Sequence, residues 1–397
     1  MNNYKNKKKF KTKTKLILSG REIKKENSFV NPPISKGSTV TFKSVKEMKD
    51  SIAIKNSQTL TYGRFGSNTT FKLEKAITNI EEGYTTVATS SGTAAIIASL
   101  LSTLKSGDHL LMTDSAYAAA KYAAKYLLKN MGITTTFYNP LIGKDISQLI
   151  QKNTKVIYLE SPGSLTFEIQ DIPLIVDIAS KNKCTTIMDN TWATPLYFKP
   201  ISYGIDISIQ AATKYINGHS DSMLGTITTN KKYADTIRKV THSLGSCPGP
   251  EDIYLGLRGL KSLNIRLEQH KNNALRMIEW IIKQKEVENI LYPAFEKFNG
   301  YKIWKRDFLG ASGLFGITLK PIKKKTINKM LNNLKLFNMG FSWGGYESLI
   351  LPVEPEKDRE TYEWKHKYRT LRIHAGLEDV DDLIDDLKHG FKILRKD

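Results

Sequence analysis

Lys214 sits in the run Ala212-Thr213-Lys214-Tyr215-Ile216-Asn217-Gly218-His219-Ser220. A lysine is ordinarily a solvated surface residue. This one follows a β-type run over 205–210 and precedes small and polar residues. At a strand end, inside a pocket, a lysine can lose its proton and become a nucleophile towards an aldehyde. Asp189 closes a second β-type run over 185–188. A carboxylate at the carboxyl end of a parallel strand points into the ligand crevice of an α/β sheet, although Asp-Asn is equally the composition of a helix cap or a surface turn. Ser90-Ser91-Gly92-Thr93 lies between a strand-like and a helix-like stretch. A small turn at a helix N-terminus leaves backbone N–H groups free for a phosphate, and many βα turns look the same. Arg372 is a charge inside the apolar run Leu371-Arg372-Ile373, so it either faces an edge or pairs with an anion. Tyr62-Gly63-Arg64 reads as a polar loop, Tyr117 as a buried tyrosine, and Ser342-Trp343-Gly344-Gly345 as a Gly-Gly turn beside a tryptophan.

Taken together, the fifteen residues from Asp206 to Ser220 resemble the attachment signature of the Cys/Met-metabolism (transsulfuration) enzymes, which use pyridoxal 5'-phosphate (PLP). The family commonly has Ser where this chain has Ala211, and its β-lyases often share the Ala-Ala-Thr-Lys form. The resemblance runs from about residue 40 to the C-terminus and is carried further by Glu160-Ser161-Pro162-Gly163-Ser164 and by Gly376-Leu377-Glu378-Asp379. It implies that Lys214 holds the cofactor, that Asp189 keeps its pyridine nitrogen protonated, and that Tyr117 stacks on its ring. Gly92 and Thr93 would bind the phosphate through main-chain N–H groups, with Thr213 adding a hydroxyl. Arg372 would grip the substrate α-carboxylate, with Ser342 and Trp343 on the substrate side. Tyr62 and Arg64 would serve the phosphate of a neighbouring subunit, where an arginine fork suits the oxygens. That implies a homo-oligomer, a tetramer built of catalytic dimers.

The activity implied is α,β-elimination on a small sulfur amino acid, L-cystathionine, giving homocysteine, pyruvate and ammonia. A γ-elimination or γ-replacement of the same family and a PLP-binding regulatory protein stand as the alternatives. Phe341 bears on the choice. Family members that act at Cγ commonly carry an acidic residue before the corresponding loop, which could orient a distal ammonium, whereas a phenyl ring cannot pair with one. Phe341 read without the resemblance is core beside a turn.

The elements that must position these residues follow from periodicity. β-type runs at 85–88, 109–112, 156–159 and 185–188 alternate with helical ones at 93–104, 118–129 and 172–181. That alternation implies α/β architecture with a large, mostly parallel sheet covered by helices, in family terms the fold type I of PLP-dependent transferases. A helical stretch over about 253–285 connects to a smaller C-terminal α/β domain with strands at 314–318 and 371–373 and helices at 325–334 and 380–394. Leu383, Leu387, Phe391 and Leu394 fall on one face of the last helix and belong to core. The organisation expected is an arm over 1–65 contacting a neighbouring subunit, a PLP-binding domain over 66–260, and a connector helix with the C-terminal domain over 261–397.

The chain has 397 residues and a net charge of +21, from 60 Lys and Arg against 39 Asp and Glu. The lysines are spread along the chain, and no zinc-finger, RNP or heptad pattern accompanies them, so the charge reads as a self-repelling surface and not as a nucleic-acid footprint. The densest basic run, 5–15, reads as a solvated arm. Two cysteines, Cys184 and Cys247, make neither a disulfide framework nor a metal cluster. The apolar stretch around 94–101 is far too short for a membrane span, and Leu16, Ile17 and Leu18 are too few for a signal-peptide core. A cytoplasmic protein without a metal site is expected.

Overall fold

The computed structural model describes residues 10–21, 29–53 and 58–395. The first part of the basic run, 5–9, lies outside the described residues. Seven strands form the large sheet: β1 (Thr85–Thr89), β2 (His109–Thr113), β3 (Thr134–Tyr138), β4 (Thr154–Glu160), β5 (Thr185–Asp189), β6 (Ile207–Gln210) and β7 (Gly225–Thr229). Their spatial order is β1-β7-β6-β5-β4-β2-β3. The pairs from β3 through β6 are parallel, and β7 runs antiparallel to both β6 and β1. Every residue of β2, β5, β6 and β7 is buried, as strands with helices on both faces must be. Alternate side chains supply the two cores. Leu110, Met112, Val156 and Tyr158 pack on one face with Ile96 and Leu128, while Leu111, Ile157, Leu159 and Met188 pack on the other with Ile172 and Ile175.

The expected helix over 172–181 is present as Ile172–Lys181, capped by the Asp171 carboxylate accepting from Leu174 N–H. The stretch expected as one helix over 118–129 is an α-turn, Ala118–Tyr122, followed by a π-helical turn, Ala123–Leu128. Pro250 opens a helix of 32 residues, Pro250–Ile281, with Glu251 and Asp252 in its first turn to complement the helix dipole. It leads into a second sheet of four antiparallel strands, β8 (Val287–Leu291), β9 (Leu314–Leu319), β10 (Leu349–Val353) and β11 (Thr370–His374), in the order β10-β11-β9-β8. The helix Val380–Leu394 buries Leu383, Leu387, Phe391 and Leu394 as its spacing implies.

The N-terminal segment is less detached than its composition suggests. A short helix, Thr12–Ile17, buries Leu16 against the long helix, and Lys261 Nζ donates to Ser19 O at 2.6 Å. One leucine in a basic run gives no periodic signal, yet it is enough to seat the turn. No helix among the described residues is long and apolar enough to cross a membrane.

Candidate active site

Parallel pairing brings the carboxyl ends of β4, β5 and β6 to one edge of the sheet, where such folds bind ligands. Glu160 and Asp189 are Cα partners across β4 and β5, and Asp189 pairs with Ile209 of β6. A cavity of about 500 Å³ opens there, within the range of small-molecule and cofactor sites. It is lined by Gly92, Thr93, Tyr117, Asp189, Thr213, Lys214, Phe341, Ser342, Trp343 and Arg372. Ten of the twelve residues singled out in the sequence thus meet in one place.

Lys214 projects from the turn that follows β6. The turn is closed by Lys214 N–H to Ala211 O at 3.0 Å and Gly218 N–H to Lys214 O at 2.8 Å. Its Nζ donates to Ser342 Oγ at 2.6 Å and lies 5.7 Å from the Trp343 ring centre. Burial, and next the Arg372 guanidinium, push the Lys214 ammonium down from 10.5 to about 8, against the opposing pull of Asp189. A free amine is therefore accessible near neutral pH.

Asp189 is buried at the end of β5. Thr191 holds it, donating from its amide at 2.9 Å and its hydroxyl at 2.6 Å to Asp189 Oδ1. The same hydroxyl accepts Ala211 N–H at 2.8 Å, which ties the carboxylate to the lysine-bearing turn. Burial raises the Asp189 carboxyl, opposed by Thr191 and Lys214. Burial and then the Asp189 charge raise Glu160 well above the carboxylate range. Two carboxyls this close disfavour each other's charge, and Thr191 and Lys214 favour it on Asp189. Glu160 Oε2 accepts the Tyr117 amide at 2.7 Å and so fixes the residue whose ring, 48% exposed, faces the cavity. Glu160 and Thr191 were not among the expected site residues. A residue's place in a motif says nothing of pairing register, and only register puts Glu160 beside Asp189.

The substrate-side loop is fixed from behind. Arg372 Nη2 donates to Ser342 O at 2.9 Å. His374 accepts Gly344 N–H on Nε2 at 3.1 Å, and its Nδ1 lies 3.0 Å from Glu347 O. Burial holds His374 well below its ordinary pKa, so it is the neutral ring these bonds require. Gly344 has φ +88°, and a Cβ there would lie 2.9 Å from Tyr215 N, so only glycine fits. Phe341 is 92% exposed at the cavity rim, which excludes a core role for it.

The chemistry of PLP fits these residues. Ser91 caps the helix Gly92–Leu101 by accepting Ala94 N–H at 3.1 Å. The amides of Gly92 and Thr93 precede the first intrahelical bond, Ala95 N–H to Ser91 O, and face the cavity end. A Cβ on Gly92 would stand 2.6 Å from Ala211 Cβ, so the helix end can approach the sheet only as glycine. A phosphate cradle, a buried carboxylate and a lysine of depressed pKa share one cavity. The Thr213 hydroxyl, at the cavity lining, donates to Leu224 O at 3.1 Å and accepts Leu224 N–H at 2.9 Å, and these bonds lock the turn.

Tyr62 and Arg64 are not brought to this cavity. They line a second one, of about 430 Å³, with His242, Ser246 and Cys247. There Arg64 Nη1 donates to His242 O at 2.6 Å.

The profile of the family described as Cys/Met metabolism PLP-dependent enzyme matches residues 13–392. The chain is 40% identical over 387 residues to the cystathionine β-lyase MetC of Escherichia coli, spanning 96% of this chain and 98% of that one. It is 35% identical over 383 residues to the L-alanine/L-glutamate racemase of Wolbachia pipientis, spanning 94% of each. The crystal structure of metB from Corynebacterium glutamicum superposes with a TM-score of 0.90 at 26% identity, covering 97% of this chain and 98% of that one. Family profile, relatives and architecture agree over nearly the whole length: the chain belongs to the Cys/Met-metabolism family of fold-type-I, PLP-dependent enzymes.

Proposed function

We propose that this PLP-dependent carbon–sulfur lyase performs α,β-elimination on L-cystathionine, yielding homocysteine, pyruvate and ammonia. The carrying observation is the convergence of Lys214, Asp189 and Arg372 on one cavity whose rim is Phe341 and Trp343. When bound, PLP supplies an electron sink for the charge that develops at Cα. The rest falls to the protein. Gly92 and Thr93 offer amides to a phosphate. Asp189, ionised and held by Thr191, keeps a proton on the pyridine nitrogen. Arg372 presents its fork to the α-carboxylate. The Lys214 amine takes the Cα proton and, as an ammonium, returns a proton to the leaving sulfur, with Ser342 holding Nζ on its hydroxyl between the two events.

The β-specific reading is supported by Phe341, which stands at the cavity rim free of the core and places an apolar side chain there. The shared-site reading is supported by Tyr62 and Arg64, which line a second cavity instead of the one that holds Lys214. On this proposal the active species is a homo-oligomer, a tetramer built of dimers that exchange this pair.

The test is the purified wild type beside Lys214→Ala, both incubated with L-cystathionine. Pyruvate with homocysteine from the wild type, and none from the variant, is expected. 2-Oxobutyrate with cysteine, or D-amino acid without pyruvate, overturns the proposal.

A further inference from the structure

The loop over 340–347 runs directly against the lysine-bearing turn. A Cβ on Gly344 would lie 3.0 Å from Lys214 C and 3.2 Å from Lys214 Cα. The loop also presents a hydroxyl to the lysine, since Ser342 Oγ accepts from Lys214 Nζ at 2.6 Å. Ser342 does this from φ +81°, in the left-handed region that a residue with a Cβ seldom adopts. Such a backbone is costly and persists only where its surroundings hold it.

Two residues of β11, two apart and so on one face of the strand, do the holding. Arg372 Nη2 donates to Ser342 O at 2.9 Å and to Gly340 O at 3.4 Å. His374 takes the other side. It is 1% exposed, and its Nε2 accepts Gly344 N–H at 3.1 Å. The ring proton therefore sits on Nδ1, which donates to Glu347 O at 3.0 Å. One neutral ring thus spans both ends of the four-residue turn 344–347. Packing alone does not call for it. The Tyr215 and His270 rings, centred 5.8 and 5.0 Å away, would pack equally on a phenyl group, and a buried polar ring is costly unless its nitrogens are paired. The remaining anchor, the Ser220 hydroxyl on Glu347 Oε1 at 2.5 Å, lies five residues past Ser342.

We infer that His374 is a positioning residue for Lys214: by clamping the turn 344–347 it keeps Ser342 in its strained backbone and the Ser342 hydroxyl on Nζ. The amine is then aimed while it exchanges protons with the substrate. The proton exchange rests on the lyase reading above; the clamp does not. The ring works from behind the cavity wall, through the loop. The groups that face it are His270 from the long helix, Tyr215 from the lysine turn and Arg372 from its own strand. The charges that act on Nζ are Arg372 and Asp189, and both stay in place when His374 or Ser342 is changed.

The test is a double-mutant cycle of His374→Phe, which keeps an aromatic ring without its two bonds, and Ser342→Ala. Each alone is expected to lower kcat for L-cystathionine about tenfold, the weight of one hydrogen bond to a charged amine. KM should move less than about threefold with His374→Phe. In the Ser342→Ala background His374→Phe should cost less than about threefold further, because the hydroxyl it serves is already gone. A second readout needs no turnover. The rate at which acetic anhydride labels Lys214 in PLP-free protein is followed against pH by mass spectrometry of the peptide. The wild-type midpoint is expected at about 8. An oxygen that accepts from Nζ favours the ammonium, so both single variants should lower that midpoint, by about half a pH unit or more. If His374→Phe does not fold, His374→Asn, which keeps a donor for Glu347 O but no acceptor for Gly344 N–H, goes through the same cycle. Losses that multiply, or a midpoint lowered by Ser342→Ala alone, mean that His374 only supports the fold. An unchanged kcat means that it positions nothing. Each of these results overturns the inference. A wild type that releases no pyruvate sinks the β-lyase reading alone, because the labelling still reports on His374.

Discussion

Removing the Asp114 carboxylate should unlatch the strap over 354–362, from which Glu354, Pro355, Lys357, Asp358 and Arg359 line the active cavity. Asp114 follows β2, with its side chain fully buried. Oδ1 accepts from Lys121 Nζ at 2.5 Å. Oδ2 accepts Glu360 N–H at 2.9 Å, Thr361 N–H at 2.8 Å and the Thr361 hydroxyl at 2.8 Å. Lys121 Nζ also reaches Asp358 O, so both members of the pair hold the strap. Burial alone would raise the Asp114 carboxyl. Lys121 and the two strap amides outweigh it and hold the group below its ordinary 3.8. The sign follows: the latch contributes fully above that value and is lost only as pH falls through the lower folded value, so it is constant between pH 6 and 8. Asp114→Ala leaves an unpaired ammonium whose side chain is 4% exposed, a change that typically costs about 3–5 kcal/mol. If that cost falls on strap opening, the open population rises about a hundredfold or more. Trypsin reports it directly, because Lys357, Arg359, Lys365 and Lys367 lie in or beside the strap. Cleavage over 357–367 should accelerate by that factor at pH 7.5, and KM for L-cystathionine should rise with it. Asp114→Ala combined with Lys121→Met should recover part of the loss, since no buried charge is then left alone. Cleavage within threefold of the wild type would refute the latch.

Mixing Arg64→Ala chains with Lys214→Ala chains should restore activity, because a hybrid dimer holds one intact site. Proven subunit exchange without recovery would count against sharing. Phe341→Glu should raise the share of 2-oxobutyrate and alter KM for L-cystathionine, measured by product chromatography. An unchanged ratio and KM would remove Phe341 from specificity. Thr191→Val deletes the 2.6 Å bond to Asp189 and strands Ala211 N–H. It should lower kcat about tenfold or more and lower the thermal midpoint, on the scale of about 1–3 kcal/mol for such a bond to a charged group. Equal kcat would show that Asp189 needs no support.

The sequence carried the chemistry more fully than the frame. Lys214, Asp189 and the Ser91-Gly92-Thr93 turn are each local: a strand end or a helix start with its own flanking residues, and such signals survive in one dimension. The strands β4 and β5 were legible because continuous apolar runs mark buried parallel strands. β3, Thr134–Tyr138, was missed because it lies at the sheet edge, where threonines facing water give no hydrophobic alternation. β7 is a threonine-rich strand whose hydroxyls bond across to β1, as Thr86 Oγ1 and Thr228 Oγ1 do at 2.9 Å, and its burial has no hydropathic trace. Pairs set by register or by long-range closure were invisible for the same reason. Glu160 beside Asp189 depends on strand alignment, and Arg359 over the cavity depends on a return of the chain across nearly two hundred residues to Glu168.

The most direct test of the elimination itself is to follow carbon. L-Cystathionine carrying ¹³C in its three-carbon, cysteine-derived arm is incubated with the wild-type enzyme, and the products are resolved by mass spectrometry. Lys214 placed to take the Cα proton of that arm, with Arg372 on its carboxylate, predicts the label in pyruvate and unlabelled homocysteine. Label recovered in cysteine, with unlabelled 2-oxobutyrate, would mean that the other carbon–sulfur bond breaks and would contradict the account.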